Sequence, residues 1–288
     1  MTLHHYTTAT TLPLILANRS LRFTRADLLD DASEVPFHMA LLDQRKFFVS
    51  SWSRGTHGEA GMWARYADAD RGVRISLPAI RFPWSTLSVD VSRATGLIKE
   101  DGSPRIMGLR IRDVYAPYAQ RTLFGNGYVI VPLGTKMETT FGSDVLYAAD
   151  PIGEVRRRVK LTDEGLNLQG DATYVARVKG IAWADQAEHR FVISAVKGPA
   201  MDYGTDASSY IAALLDSIEA GAATGFADYS TEVRYIDVPL AEDAFDGLVV
   251  TTGAAMPSTV RDDLERRVKD LVPTAVFEQC ALKVRPKP

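Results

Sequence analysis

The chain is expected to fold as a mixed α+β protein, with mostly antiparallel strands in two facing sheets, helices on their flanks, and a single domain over residues 1–288. Two observations predict this. Short runs that alternate apolar and polar residues recur along the whole length, and the connections between them are short. Stretches with helical spacing are fewer and lie among the strands.

Taken in order, Leu3-His4-His5-Tyr6-Thr7 alternates and reads as a strand. A helix follows, with Thr10 or Thr11 at its cap, Pro13 in its first turn, and Leu12, Leu14, Ile15 and Leu16 as its apolar face up to Asn18. Leu21 to Arg25 is a second strand, and Asp27, Asp30, Asp31 and Glu34 form the turn after it. Lys46 to Ser53 is a third strand that passes from Phe47, Phe48 and Val49 to the hydroxyls of Ser50, Ser51 and Ser53. Residues 61–68 have helical composition, and 72–77 close this first region as a fourth strand.

Beyond it, Leu87, Val89 and Val91 alternate, 94–104 reads as an exposed loop, and 107–114 alternates again. Tyr128 to Leu133 is a buried-strand candidate, 134–142 is turn-like, and 145–148 is a weaker strand. Ile152 to Val159 reads as a helix, and its Arg156, Arg157 and Arg158 form either a solvated face or a phosphate contact. Strands follow at Tyr174 to Val178 and Glu188 to Val196, with a turn through Trp183 and Asp185 between them. Ser208 to Ala220 is amphipathic and 221–226 a loop. Strands at 233–238 and 248–251, a helix from Ser258 to Asp270 and a strand over 275–284 complete the chain.

Composition narrows the function classes. Apolar residues at 46% and charged residues at 24% are ordinary for a globular protein, and a net charge of -3 exerts no global pull toward nucleic acid or anionic lipid. The single cysteine, Cys280, rules out an internal disulfide and Cys-based zinc sites, and is expected buried on a strand. No leader-like start and no apolar run of membrane-spanning length is present, so a cytoplasmic location and no membrane partner are expected. The histidines lack metal spacing: His4 and His5 are adjacent, and His38 and His57 are isolated. A metal centre from His5, His57, Asp31 and Glu34 is not demanded by the pattern, so no metal is expected. Phosphate-binding loop, dinucleotide-turn and serine-elbow motifs are absent.

One ordered set of short motifs stands out. His-Tyr-Thr at 5–7, Leu-Arg-Phe-Thr-Arg at 21–25 with Asp30, Asp31 and Glu34 after it, Phe-Val-Ser-Ser-Trp-Ser at 48–53 and Met-Trp-Ala-Arg-Tyr-Ala-Asp at 62–68 together resemble the bacterial family labelled domain of unknown function 2971. Trp183 to Phe191 resembles that family's Trp and Glu-x-Glu-x-Arg segment, with Gln186 in place of the first Glu. Gln-x-Glu is also one form of the catalytic turn in mono-ADP-ribosyltransferases. That superfamily is more distantly similar through a first-strand His, an aromatic and hydroxyl strand, and a late Glu. The likeness is strongest over 3–77, useful over 179–196, weak after 230, and absent from 85–170, which is taken as a family-specific insert.

This resemblance implies an ADP-ribosyltransferase-like fold and NAD as co-substrate. The expected activity is mono-ADP-ribosyl transfer to a protein or nucleic-acid acceptor by a bacterial toxin or anti-phage effector, with an antitoxin or immunity partner. Breaking the nicotinamide–ribose bond builds positive charge on the sugar, so a carboxylate that grips the ribose favours that state. By motif position Glu188 takes this role, and Gln186, two residues earlier, faces the acceptor. His5 holds the cofactor's ribose, with Tyr6 and Thr7 beside it. Ser50, Ser51 and Trp52 flank ribose or nicotinamide, Arg22 or Arg25 pairs with the pyrophosphate, and Tyr66 joins the cofactor-binding set. Pleat alternation lets only one of His4 and His5 enter the site, and the adjoining Tyr6-Thr7 selects His5. Glu188→Gln is expected to leave the fold intact and abolish nicotinamide release.

Each assignment has a structural rival. His5 can be a hydrogen-bonded strand-end residue, Glu188 half of an ion pair with Arg190, Arg25 an ion pair with Asp27, Asp30 or Asp31, and Trp63 with Tyr66 a core stripe. Two other functions stay open: hydrolysis in the same cleft, as a nuclease or NAD glycohydrolase, and a non-enzymatic binding module.

Overall fold

The computed structural model describes residues 2–31, 43–55, 59–98, 101–134, 137–162, 165–168, 172–226 and 228–282. Its strands are β1 (Leu3–Thr7), β2 (Ser20–Arg25), β3 (Phe47–Ser53), β4 (Val73–Leu77), β5 (Ser85–Ile98), β6 (Pro104–Ala116), β7 (Phe124–Gly125), β8 (Tyr128–Val131) and β9 (Gly142–Asp144). They continue as β10 (Leu146–Ala148), β11 (Val159–Thr162), β12 (Gly165–Leu168), β13 (Val178–Gly180), β14 (Glu188–Lys197), β15 (Tyr235–Pro239), β16 (Val249–Thr252) and β17 (Val276–Gln279). The helices are α1 (Thr11–Asn18), α2 (Glu59–Tyr66), α3 (Met137–Thr140), α4 (Pro151–Arg156), α5 (Ala207–Ala223) and α6 (Ser258–Leu271).

The fold is mixed α+β, and nearly all strand pairs are antiparallel; β16–β17 and β10–β13 are parallel. The expected pair of facing sheets is instead one branched eleven-stranded sheet, with β10–β13, β11–β12 and β5–β6 as separate two-stranded sheets. The main order is β17-β16-β4-β1-β3-β14-β8-β7, with β2 and β15 branching from β3 and β9 from β14. Part of the stretch 85–170 is therefore woven into the main sheet, because β7, β8 and β9 continue it through β14.

Pleat alternation in β3 explains why it is the branch point. Phe48 and Trp52 face the large core with Phe191 and Ile193, while Phe47 and Val49 face a smaller core with Val192 and Val175. Both faces are apolar at the start of β3, which fixes it between two packed layers; each fully buried side chain there contributes about 1.5–3 kcal/mol. Toward its end hydroxyls replace the hydrocarbon, and the strand runs out of core into a cleft. Leu12 and Leu16 of α1, Tyr210 and Leu214 of α5, and Leu264 and Val268 of α6 seal the large core.

Several boundaries differ from the expected ones. In the loop expected over 94–104, Ala94 to Ile98 is strand instead, because β5 runs to Ile98 and pairs it with Pro104 of β6; the partner strand supplies ladder bonds that composition does not reveal. Tyr174 to Val178 is not a strand: Ala172–Arg177 is a 3₁₀ turn that buries Tyr174, Val175 and Ala176 consecutively, and only Val178 begins β13. The helix expected to reach Val159 stops at Arg156, α5 continues through Ala223, and α3 lies within the expected turn at 134–142. The last strand is only Val276–Gln279, and Cys280 lies just past it, half-buried. Glu34, His38 and His57 fall outside the described residues.

Candidate active site

β1 is laddered to β4 along its full length, from Leu3 opposite Leu77 to Thr7 opposite Val73, but meets β3 only where His4 lies opposite Ser53. β3 in turn meets β2 only at Val49 and Phe48. Between those contacts the edge of β3 at Ser50 to Trp52 is laddered to neither β1 nor β2, and the strands diverge. His5 and Trp52 fill part of the opening, with ring centroids 5.1 Å apart and planes tilted by 39°. The His5 ring donates from Nδ1 to the Ser51 carbonyl oxygen at 3.0 Å, which leaves Nε2 as the unprotonated nitrogen. Burial lowers the His5 pKa against that hydrogen bond, so the ring is neutral at physiological pH.

Two cavities flank this pair. The first, of about 270 Å³, is lined by His4, His5, Tyr6, Thr24, Leu28, Leu29, Asp30, Ser51, Trp52, Ser53, Met62, Tyr66, Lys179, Gln186, Glu188 and Arg190. The second, of about 290 Å³, shares His5, Thr24 and Trp52 with it and adds Ser50, Arg22, Asn18, Ser20, Asp237 and the α1 residues Thr11, Leu14 and Ile15, together with Leu21. Each approaches the lower bound of small-molecule pockets, and the two adjoin as lobes on the wall made by His5, Thr24 and Trp52.

Glu188 forms the charged floor of the first lobe. It is the first residue of β14, opposite Ser53, and 6% of its side chain is exposed. Arg190 grips it in a fork, Nε to Oε1 at 2.6 Å and Nη2 to Oε2 at 3.1 Å, and Lys179 Nζ donates to Oε2 at 3.1 Å. Burial alone would raise the Glu188 pKa, but Arg190, Lys179 and the Ser51 hydroxyl outweigh it and hold the carboxyl at about 2. The same ammonium donates to Gln186 Oε1 at 2.8 Å, and Gln186 Nε2 donates to the Tyr66 hydroxyl at 2.9 Å. Burial and nearby Asp30 push Tyr66 up to about 12, so it stays a phenol.

No family model, curated protein or solved structure matches this chain.

Of the residues singled out in the sequence, His5, Tyr6, Ser51, Trp52, Tyr66, Gln186 and Glu188 meet around the first lobe, and Arg22 and Ser50 line the second. Thr7 and Arg25 line neither. Arg25 is buried and forked onto Asp27 at 2.7 and 3.0 Å, with its other nitrogen on the Thr231 and Val233 carbonyls, so it is the structural ion pair weighed against a phosphate role. Arg22 lies on the surface, forked onto Asp237. Both His4 and His5 line the cavity, contrary to the expectation that only one could, because the lobe lies where β1 and β3 diverge beyond their contact at His4 and Ser53. The Gln186 amide is bonded at both ends and 3% exposed, which makes it a brace between Lys179 and Tyr66. Trp63 is core, edge-on to Tyr6, while Tyr66 from the same helix faces the cavity.

Arg156, Arg157 and Arg158 are exposed and line neither lobe; Arg157 pairs with Glu154, and Arg158 stacks 3.8 Å over Tyr174. Among the described residues no cluster of three or more His, Cys, Asp or Glu is placed to hold a metal, and no helix is long and apolar enough to cross a membrane. Lys179 and Tyr147 escaped notice in the sequence. A Lys between Val178 and Gly180 has no local signal of burial, and only the strand pairing brings it to Glu188.

Proposed function

We propose that the cleft binds NAD and transfers its ADP-ribose to a protein or nucleic-acid acceptor. The observation that carries this reading is the meeting of His5 and Glu188, distant in sequence, on one cavity with Ser51, Trp52 and Tyr66. NAD supplies a glycosidic bond whose cleavage leaves a cationic sugar. Glu188, held near a pKa of 2, is ionised at any working pH and cannot act as a general acid; it is also a weak general base. Its use is positional: a fixed carboxylate that accepts ribose hydroxyls while Arg190 and Lys179 keep it from turning away. His5, neutral and anchored to the Ser51 carbonyl, presents Nε2 to a ribose hydroxyl, and Trp52 offers a flat wall for a ring. The second lobe gives the remaining half of a dinucleotide room along Ser50 and α1. Such an activity suits a bacterial toxin or anti-phage effector restrained by an antitoxin or immunity partner.

The test is nicotinamide release from NAD, followed by mass analysis of candidate acceptors. Glu188→Asp keeps the charge balance with Lys179 and Arg190 but draws the carboxylate back by one methylene. Turnover should fall by about a hundredfold with the melting temperature near wild type. Free ADP-ribose with no adduct would assign the cleft to NAD hydrolysis; a folded chain that neither binds nor cleaves NAD would remove the proposal.

A further inference from the structure

The small parallel sheet of β10 and β13 stands apart from the main sheet, and its register sets Tyr147 beside Lys179. Both side chains converge on the first residue of β14. The Tyr147 hydroxyl accepts the Glu188 N–H at 2.8 Å, while Lys179 Nζ bridges the Glu188 carboxylate and the Gln186 amide oxygen at 3.1 and 2.8 Å. From the adjoining segment the Val145 N–H donates to the Glu188 carbonyl at 2.9 Å. Strand ends fray where their ladders stop, and Glu188 is such an end. Ala187, just before it, is in the left-handed region at φ 43°, a conformation that an alanine keeps only where its surroundings impose it.

We propose that Tyr147 and Lys179 are positioning residues that lock the Gln186-Ala187-Glu188 turn, so that the Glu188 carboxylate faces the cavity in one fixed place. The effect on rate rests on the NAD reading of the cleft; the mechanical effect does not. Tyr147 takes the backbone and Lys179 the side chain, and because they are register partners in one small sheet, a shift of that sheet moves both grips together. The stretch 85–170, which carries Tyr147, thereby contributes to the site without lining it.

The test uses the full chain with Tyr147→Phe and, separately, Lys179→Met. The first removes one hydroxyl; the second removes the Lys179 ammonium and keeps the Arg190 fork on Glu188. Steady-state nicotinamide release is measured with amide hydrogen exchange of the peptide containing Glu188. Each variant should lose about tenfold or more in kcat, and in Tyr147→Phe, whose side chain lines neither lobe, KM for NAD should stay within about twofold of wild type, the pattern of a misplaced carboxylate rather than a lost binding contact. In Tyr147→Phe the Glu188 amide should also exchange about tenfold faster while the rest of β14 is unchanged. An active wild type with unchanged kcat and unchanged Glu188 exchange in Tyr147→Phe overturns the inference. If the wild type does not cleave NAD, that failure belongs to the proposed function, and exchange alone decides: faster exchange supports the clamp and unchanged exchange overturns it.

Discussion

Glu188 is buried against two cations, Lys179 and Arg190, and this controls what substitution there does to the fold. Replacing it with Gln removes a carboxylate that both Lys179 and Arg190 contact, and these cations are 5% and 1% exposed. Glu188→Gln should cost about 3–5 kcal/mol, because breaking a buried ion pair strands its partners, whereas Glu188→Asp should cost far less. Urea denaturation of the two variants checks this, and equal midpoints would refute it. The pH dependence follows with its sign. A carboxyl held at about 2 when folded, against 4.5 when free, stabilises the protein above pH 4.5 by roughly 3 kcal/mol, and this is lost as pH falls from 4.5 toward 2. His4, His5 and His189, each lowered chiefly by burial, add an earlier loss that begins as pH drops below 6.5, since the unfolded chain then binds protons the folded one resists. Melting temperature measured from pH 8 to 2 should thus fall in two stages; a flat profile down to pH 3 would contradict both.

At the level of elements, the turn before β14 and the split beside β3 make the site. Ala187 adopts φ 43° and ψ 50°, so Ala187→Gly should be neutral or stabilising by a few tenths of a kcal/mol, and Ala187→Val should destabilise by about 1–2 kcal/mol through its branched Cβ. Chemical denaturation orders them; a Val variant as stable as the Gly one would mean the turn is not held as described. Gly72 is a second such point: a Cβ there would lie 2.3 Å from the Thr7 carbonyl oxygen, so the end of β1 approaches β4 too closely for any side chain. The main strands and the amphipathic α5 and α6 were legible because alternation and helical spacing are local signals, while the grouping of positions 5, 51, 52, 66, 186 and 188 around one cavity was an implication of the motif resemblance alone. The long β5–β6 hairpin was not, since Gly and charge over 94–104 look like a loop until a partner strand is present. Nor was the buried 3₁₀ turn at Ala172–Arg177, whose apolar run has the composition of a strand and differs only in backbone pairing. Lys179 and Tyr147 were invisible for the same reason: their role depends on the β10–β13 register, which no short window contains.

For the whole molecule, the branching at β3 means that the cleft has walls from two directions. β1, β4, β16 and β17 continue the sheet on one side, β2 and β15 leave it on the other, β3 lines both lobes, and β14 floors the first alone. The two lobes share His5, Thr24 and Trp52, residues of β1, β2 and β3 respectively, so a ligand long enough to fill both would touch all three strands at their point of divergence. A ligand confined to one lobe would brace fewer of them. Binding to the folded chain alone raises stability by about 2.7 kcal/mol at a hundredfold excess over Kd, which for a chain of this size amounts to several degrees in melting temperature. NAD should therefore raise the melting temperature by several degrees, ADP-ribose by less, and nicotinamide by least. Trp52→Ala should weaken the NAD effect by opening the shared wall, at some cost in intrinsic stability because Trp52 also packs in the large core. Differential scanning calorimetry with each ligand at millimolar concentration measures the ordering. Nicotinamide stabilising as strongly as NAD would place the whole interaction in one lobe, and no shift with any of the three on a folded chain would count against a dinucleotide cleft altogether.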